Sequence, residues 1–211
     1  MSEPQVWRPA RLPGARSLRA GDVRLRPLVA DDAAALFAAL DDPRVWRAGY
    51  GGGPAGRPLT AADMAVFVGR LLTLPDHAPF AVTLAHDGDA GPAGTLVGTS
   101  SLGDARPTLG RVHLGWTAYA PRVWGTQVNP SAKLALLRHA FEDCGYHRVK
   151  IQTDVRNERS QAAIARLGAT REGVLRGHQP RADGTWRDTV VFSILADEWP
   201  GVRAGLEARV R

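Results

Sequence analysis

The chain has 211 residues, 44% of them hydrophobic, which is enough for one domain with a substantial core. No apolar run approaches the roughly 20 residues that a membrane-spanning helix needs, so a membrane protein is excluded from the expected classes. The formal net charge is +6, but the basic residues are spread along the chain without a run or stripe. That distribution argues against a nucleic-acid-binding function.

Cysteine content and N-terminal composition indicate the compartment. Cys144 is the only cysteine, which excludes an intrachain disulfide. The first residues include basic ones but no continuous apolar segment, so we expect no secretory signal. Together these features predict a cytoplasmic protein, with residues 1–18 as an N-terminal tail.

The first half of the chain alternates strands and helices. Thr60 and Asp63 have the spacing of a capping box, which predicts the start of the second helix. The predicted elements are a strand (23–28), a helix (31–40), a glycine-rich loop (50–58), the second helix (61–74) and three strands (80–85, 95–102 and 111–117). We expect the last two strands to pair as a hairpin.

A helix over 131–144 opens the second half. Asn129 is a good N-cap and Pro130 a good first helical residue. Apolar residues then recur on one face, at Leu134, Leu137, Phe141 and Cys144. The remaining elements are a strand (148–154), a short helix from Asn157 or Ser160 to Gly168, and two strands (174–178 and 189–195) joined through Asp183-Gly184.

This order of elements predicts a mixed α/β fold. Hairpins occur beside strand–helix–strand connections, which argues against a uniformly parallel, doubly wound sheet. The sequence contains no internal repeat. We therefore expect a single domain over residues 19–200, followed by a C-terminal tail over 201–211.

The loop from Arg122 to Pro130 is the most informative segment for function. It joins a predicted strand to a predicted helix, and the first amides of a helix have no partner inside it. The helix dipole adds partial positive charge at the same place, so such a loop binds phosphate. Gly125 allows the backbone to approach a ligand closely. Neither a nucleotide P-loop pattern nor a Gly-x-Gly-x-x-Gly dinucleotide pattern occurs in the sequence.

The same loop carries a family resemblance. Arg122-x-x-Gly125-x-Gln127 resembles the Gln/Arg-x-x-Gly-x-Gly/Ala loop of the GCN5-related N-acetyltransferases (GNAT family), which holds the pyrophosphate of acetyl-CoA; Gln127 departs from that pattern. Further segments in the same order resemble the ribosomal-protein N-terminal acetyltransferase (RimJ/RimL-like) branch of that family, which modifies proteins, peptides and small amines alike. They are Gly115-Trp116-Thr117, His139 to Glu142, Asn157 to Ala169, Glu172 to Arg176 and Arg187 to Ile194.

The resemblance covers about Val23 to Pro200 and implies both fold and reaction. It implies a GNAT-type fold, with a mixed central sheet of about seven strands and flanking helices. It also implies acetyl-CoA as co-substrate, no metal, and a primary amine as acceptor, either a protein N-terminus or a small molecule. The acetyl group would move by direct attack of the amine in a ternary complex. A homodimer is a family-level expectation.

Cofactor-binding residues follow from the resemblance. Backbone amides near Trp116 and Thr117 would bind the thioester carbonyl. Asn157 would contact pantetheine, and Ser160 would lie near the thiol as a candidate catalytic residue, although both residue types also cap helices well. The pyrophosphate would bind the loop amides of Trp124, Gly125, Thr126, Gln127, Val128 and Asn129. Trp124 is alternatively a core residue that anchors the loop.

Two histidines are the candidate general bases, because histidine exchanges protons near neutral pH. His113 lies on the strand before the loop, and His178 ends a later strand; a water chain is the alternative to both. A protein that binds acyl-CoA without efficient turnover is the rival function. It is suggested by Gln127 and by the absence of a tyrosine from the helix after Asn157.

Overall fold

The computed structural model describes residues 8–14, 16–47 and 49–210. Eight strands form one sheet in the order β1-β2-β3-β4-β5-β6-β8-β7. The strands are β1 (Leu18–Ala20), β2 (Val23–Pro27), β3 (Ala78–Leu84), β4 (Leu96–Arg106), β5 (Arg111–Tyr119), β6 (Arg148–Asp154), β7 (Thr170–Pro180) and β8 (Trp186–Leu195). The seven strands predicted from sequence are all present, and β1 is added where the predicted N-terminal tail ends; residues 1–7 of that tail lie outside the described residues.

Only one neighbouring pair in this sheet is parallel. β5 pairs with β6 in parallel register over three residues, from Arg111 opposite Arg148 to His113 opposite Lys150. β5 continues to Tyr119 and β6 to Asp154, but these later residues of the two strands do not pair with each other. The two strands therefore separate in the middle of the sheet, and the mixed α/β prediction is confirmed.

Three of the four predicted helices agree closely with the structure, and the fourth, over 131–144, differs at both ends. Six helices flank the sheet. They are α1 (Ala33–Leu40), α2 (Pro43–Arg47), α3 (Ala61–Thr73), α4 (Val128–Arg138), α5 (Glu158–Ala165) and α6 (Trp199–Arg209). The predicted capping box forms, since Asp63 N donates to Thr60 Oγ1 at 3.1 Å and Thr60 N donates to Asp63 Oδ2 at 3.0 Å. Within the described residues, no helix has the length and apolar character required to cross a bilayer.

The start of α4 differs from the prediction. The helix begins at Val128 with Gln127 as N-cap, so Asn129 and Pro130 lie inside its first turn. Proline is tolerated there because its missing N–H would have no partner in the first turn. The first i to i−4 bond runs from Ser131 N to Gln127 O at 2.9 Å. The predicted apolar face is confirmed, since Leu134, Leu137, Phe141 and Cys144 are all buried.

The segment predicted as a C-terminal tail is a helix. α6 occupies Trp199–Arg209 and buries Trp199, Val202 and Leu206. The ring of Trp199 stacks on Phe141 with centroids 5.3 Å apart. The sequence prediction was wrong here because three apolar residues spaced by three and four positions were too few to stand out among the charged ones.

Candidate active site

A cleft of about 840 Å³ opens where β5 and β6 separate. Its walls come from the second half of β5, the end of β6, the loop before α4, and α5, with the loop after α2 at one end. Eight residues of the predicted cofactor site line it: Trp116, Thr117, Trp124, Gly125, Thr126, Asn129, Asn157 and Ser160. His113 also lines it, whereas Gln127, Val128 and His178 are not among its lining residues. Of the predicted site residues, the structure thus brings most to one place.

A bulge in β5 shapes the wall of the cleft. Gly115 pairs with Ser101 and Ala118 pairs with Thr99, so Trp116 and Thr117 have no residue of β4 in register with them. Trp116 adopts a left-handed backbone with φ of 47°, which is costly for a residue other than glycine. Strain of this kind persists where the surrounding structure holds it, and it is concentrated at functional sites.

The loop before α4 offers alternate amides to a ligand. Trp124 N donates to Pro121 O at 3.1 Å, and Thr126 N donates weakly to Val123 O at 3.4 Å. Val128 N lies 3.3 Å from Thr126 Oγ1. Among the described residues, the amides left without an acceptor in this loop are Gly125 N, Gln127 N and Asn129 N. Gly125 has φ of 78° and open space around the position of a Cβ, so a ligand can approach its backbone closely.

Trp124 joins this loop to the rest of the cleft. Its indole Nε1 donates to Tyr119 O at 2.9 Å, which ties the loop to the end of β5. The guanidinium of Arg159, on α5, lies 3.8 Å from the centroid of the Trp124 ring, a cation–π contact. Trp124 therefore both anchors the loop, as the alternative prediction proposed, and forms part of the cleft wall. Two further arginines, Arg166 and Arg209, line the same cleft, which gives this side a positive field.

Asn157 caps α5 from within the cleft. Its side-chain Oδ1 accepts a hydrogen bond from Ser160 N at 3.0 Å, which is the capping role expected of asparagine at this position. Ser160 is half-buried and also faces the cleft. Capping and ligand contact are compatible here, because the cap fixes both side chains at the cleft edge.

The two candidate histidines lie in different environments. His113 is buried and lines the cleft, and burial lowers the pKa of His113 to about 3. Its Nε2 has no hydrogen-bond partner among the described residues. His178 is exposed, and its Nδ1 lies 3.0 Å from Thr189 Oγ1. His113 thus belongs to the site, while His178 lies outside the cleft lining.

Lys133 is a site residue that the sequence reasoning missed. It lies on α4, is 6% exposed, and lines the cleft. Its Nζ donates to Thr117 Oγ1 at 2.9 Å, and Thr117 Oγ1 lies 2.7 Å from Ser100 Oγ. Burial lowers the pKa of Lys133 to about 7. The available signal was a lone lysine inside the apolar stretch from Ala132 to Leu137.

The end of the cleft beside the loop after α2 carries aromatic side chains and an arginine. Tyr50 and Phe67 line it and pack on Trp46, with ring centroids 5.1 and 5.6 Å from that of Trp46. Arg187 lines it as well, and burial lowers the pKa of its guanidinium. The Tyr50 hydroxyl and Arg187 Nε have no partner among the described residues. This end can hydrogen-bond a polar group next to an apolar surface.

A buried ion pair supports that end of the cleft. Asp154 Oδ2 accepts from Arg181 Nε at 3.0 Å and from Arg181 Nη2 at 2.8 Å. Next to Arg181, Ala182 N donates to Gly52 O at 3.1 Å, which links the β7–β8 hairpin to the loop after α2. Elsewhere in the described part of the chain, no cluster of histidine, cysteine, aspartate and glutamate side chains is arranged to hold a metal ion.

Comparison with known proteins defines the class. Residues 22–170 match the family model described as an acetyltransferase (GNAT) domain. The chain belongs to the GNAT acetyltransferase family, and the resemblance found in the sequence is confirmed.

Individual relatives agree with this assignment. "Putative ribosomal N-acetyltransferase YdaF" of Bacillus subtilis is 32% identical over 108 residues, which are 51% of this chain and 58% of that relative; the match thus spans little more than half of its length. A GCN5-related N-acetyltransferase from Brucella melitensis superposes with a TM-score of 0.87 at 26% identity, over 99% of this chain and 91% of that one. Mycobacterium smegmatis RimJ in complex with CoA-disulfide superposes with a TM-score of 0.67 at 25% identity, over 92% of each chain.

Proposed function

We propose that the protein transfers the acetyl group of acetyl-CoA to a primary amine by direct attack in a ternary complex. One observation carries this proposal: β5 and β6 separate beside a strained bulge, and the cleft so formed ends at a loop with unpaired amides. An extended thiol chain can lie between the strands while a phosphate group binds the loop.

The loop and its arginine neighbours are suited to the pyrophosphate. Gly125 N, Gln127 N and Asn129 N supply main-chain donors at the start of α4, where the helix dipole favours an anion. These donors are backbone groups, so the glutamine side chain at 127 does not remove one of them. Arg159 adds a side-chain cation on the same wall. The relative named RimJ is described as a complex with CoA-disulfide, which supports a coenzyme A derivative as the ligand.

The bulge is suited to the reacting carbonyl. Negative charge develops on the thioester oxygen during attack, and preorganised donors stabilise it. Trp116 and Thr117 have no residue of β4 in register with them, and the backbone N–H groups near them are our candidates for these donors. Ser160, held at the cleft edge by the Asn157 cap, is our candidate for protonating the departing thiolate.

His113 is poorly suited to act as the general base. Because burial lowers the pKa of His113 to about 3, its imidazole is neutral near pH 7 but accepts a proton poorly. His178 is exposed outside the cleft lining, so a role in proton transfer there requires a water chain.

The acceptor is proposed to be a protein N-terminus or a small amine. Two relatives carry names that refer to ribosomal acetylation or to RimJ, which supports the first class. An exposed peptide terminus would enter at the Tyr50 and Arg187 end, where the Tyr50 hydroxyl and Arg187 Nε, which have no partner among the described residues, can bind its carbonyl oxygens. A cytoplasmic location and a homodimer stay predictions.

Amine-dependent release of thiol from acetyl-CoA tests this function. We expect release with at least one class in a panel of peptide N-termini and small amines, and none without an amine. Ser160→Ala should lower kcat by about tenfold or more while it leaves the affinity for acetyl-CoA nearly unchanged. Binding of acetyl-CoA without thiol release from any amine would instead favour the acyl-CoA-binding alternative.

A further inference from the structure

Lys133 is a buried amine that no acidic side chain neutralises. It forms no ion pair with any described residue, and its Nζ donates a hydrogen bond to Thr117 Oγ1 at 2.9 Å. The only other lysine of the chain, Lys150, pairs with Asp104 at 3.0 Å. Burying an unpaired ammonium is costly, whereas a neutral amine with one hydrogen bond is not. The site therefore favours the neutral form of Lys133.

The charged groups around Lys133 do not reverse this preference. The sheet strands and helices that line the same cleft contribute His113, Asp154, Arg159, Arg166, Arg187 and Arg209. The one acid among them, Asp154, is already bonded to Arg181, and the others are cationic or neutral.

The elements that pack on α4 from outside the cleft carry charges of their own. On β1 and β2, Arg19 and Arg24 are exposed and Arg26 pairs with Asp32. On α6, Glu207 is engaged by Arg138 and Arg203. On the turn after α4, His139 bonds Asp143 at 2.8 Å, and Glu142 pairs with Arg203. None of these groups forms an ion pair with Lys133 among the described residues.

Lys133 is also placed beside the proposed reacting centre. The residue that receives its hydrogen bond, Thr117, lies in the β5 bulge whose amides are the candidate donors to the thioester carbonyl. Ser100 Oγ contacts the same Thr117 hydroxyl at 2.7 Å, so the acceptor of the Nζ hydrogen bond is itself held in place. Burial lowers the pKa of Lys133 to about 7, near the pH at which a general base is most effective. The neighbouring His113, with a pKa of about 3, is less suited to that task.

We infer that Lys133 is the proton acceptor of the acetyl transfer. As the nitrogen–carbon bond to the acetyl group forms and the carbon–sulfur bond breaks, the neutral Nζ takes the proton that the attacking amine loses. The electron pair of the broken bond leaves with sulfur, which takes a proton from the Ser160 hydroxyl to form the thiol. Lys133 then releases its proton to solvent, and solvent returns one to Ser160 before the next turnover. This inference rests on the proposed acetyl transfer and adds a role that the sequence patterns did not assign.

The pH dependence of kcat/KM tests the inference in the intact protein. With acetyl-CoA and a peptide amine that the thiol-release assay has shown to react, the wild type should lose activity below about pH 7. Lys133→Met should lower kcat by about 100-fold or more and remove that acidic limb. Lys133→Arg should lower kcat to the same extent, because a guanidinium does not lose its proton and so cannot act as a base. A limb that originates in the acceptor shifts with the pKa of the peptide amine, so two peptides of different amine pKa separate it from the limb of Lys133.

Lys150→Met is the matched control, because it removes the only other lysine and lies outside the cleft lining. It should leave kcat and the acidic limb unchanged. Lysine-selective ¹³C labelling adds a readout that does not depend on activity, since the chain has two lysines whose signals the variants assign. The signal that disappears in Lys133→Met should titrate near pH 7.

Two results would overturn the inference: an acidic limb and kcat that survive in Lys133→Met, or a Lys133 signal that titrates above pH 9. If no amine reacts in the wild type, the proposed transfer itself fails, and the labelling experiment still reports whether Lys133 is neutral near pH 7.

Discussion

Lys133→Met should raise the free energy of unfolding at pH 7 by about 3 kcal/mol, although the same change should abolish most activity. In the unfolded chain, Lys133 has the pKa of about 10.5 of a free lysine, and burial lowers it to about 7 in the fold. At about 1.4 kcal/mol for each pKa unit, burial of the Lys133 amine costs the folded state at most about 5 kcal/mol of stability. Loss of the bond to Thr117 offsets part of it, since a buried hydroxyl loses one partner.

The sign of this effect depends on pH in a defined way. Above about pH 10.5, Lys133 is neutral in both states and carries no penalty. Between pH 10.5 and 7 the unfolded state is protonated while the folded state is not, so the wild type loses stability as the pH falls. Below pH 7 the penalty is constant.

Urea unfolding at pH 7, 8 and 9 measures this dependence. The stability advantage of Lys133→Met over the wild type should shrink as the pH rises across that range. Lys150→Met, whose partner is Asp104, should show no such trend. A Lys133→Met protein that is less stable than the wild type at pH 7, or an advantage independent of pH, would contradict a neutral buried amine.

Asp154→Ala should destabilise the protein by about 3 to 5 kcal/mol, the cost of leaving a buried charge unpaired. The side chains of Asp154 and Arg181 are 6% and 10% exposed. Asp154 also accepts from Arg156 N at 3.0 Å, so its loss leaves a backbone amide without that acceptor as well. Because Arg181 holds the β7–β8 hairpin near the acceptor end of the cleft, KM for the amine should rise in the same variant.

Denaturant unfolding of matched variants checks the cause. Arg44→Ala removes the exposed partner of Asp42 in a surface ion pair and keeps the bond from the backbone N of residue 44 to Asp42 Oδ1; it should change stability little, because solvent screens such pairs. Adding Arg181→Met to Asp154→Ala should recover much of the lost stability, since the unpaired charge is then gone. An Asp154→Ala protein as stable as the wild type would show that the pair is not buried in solution.

The sequence predicted the strands, the helix caps and the family well because each has a local signal. The Thr60 and Asp63 capping box and the Asn157 cap need only neighbours three residues away. The Gly125 loop was found by its place between a strand and a helix. Where a local signal was ambiguous, the prediction failed: Asn129 suited an N-cap, yet the N-cap is Gln127, two residues earlier, and the helix begins at Val128.

Properties that depend on distant residues could not be read from the sequence. The separation of β5 and β6 depends on a register that only the assembled sheet defines. The left-handed φ of Trp116 arises from a bulge opposite Ser100 of β4. The sequence suggested His113 as the general base, but it does not show the burial that lowers the pKa of this residue. The sequence likewise does not show that the ammonium group of Lys133 is buried away from water, so Lys133 was not predicted as a site residue.

Calorimetric titration of the protein with acetyl-CoA tests the central claim most directly, namely that the cleft between β5 and β6 binds this molecule. We expect saturable binding of one molecule per chain. Arg159→Ala, which removes the guanidinium above Trp124, should weaken binding about tenfold. Arg171→Ala, on the exposed face of β7 and outside the cleft lining, should bind as the wild type does. Absence of binding to the wild type at millimolar acetyl-CoA would contradict the account.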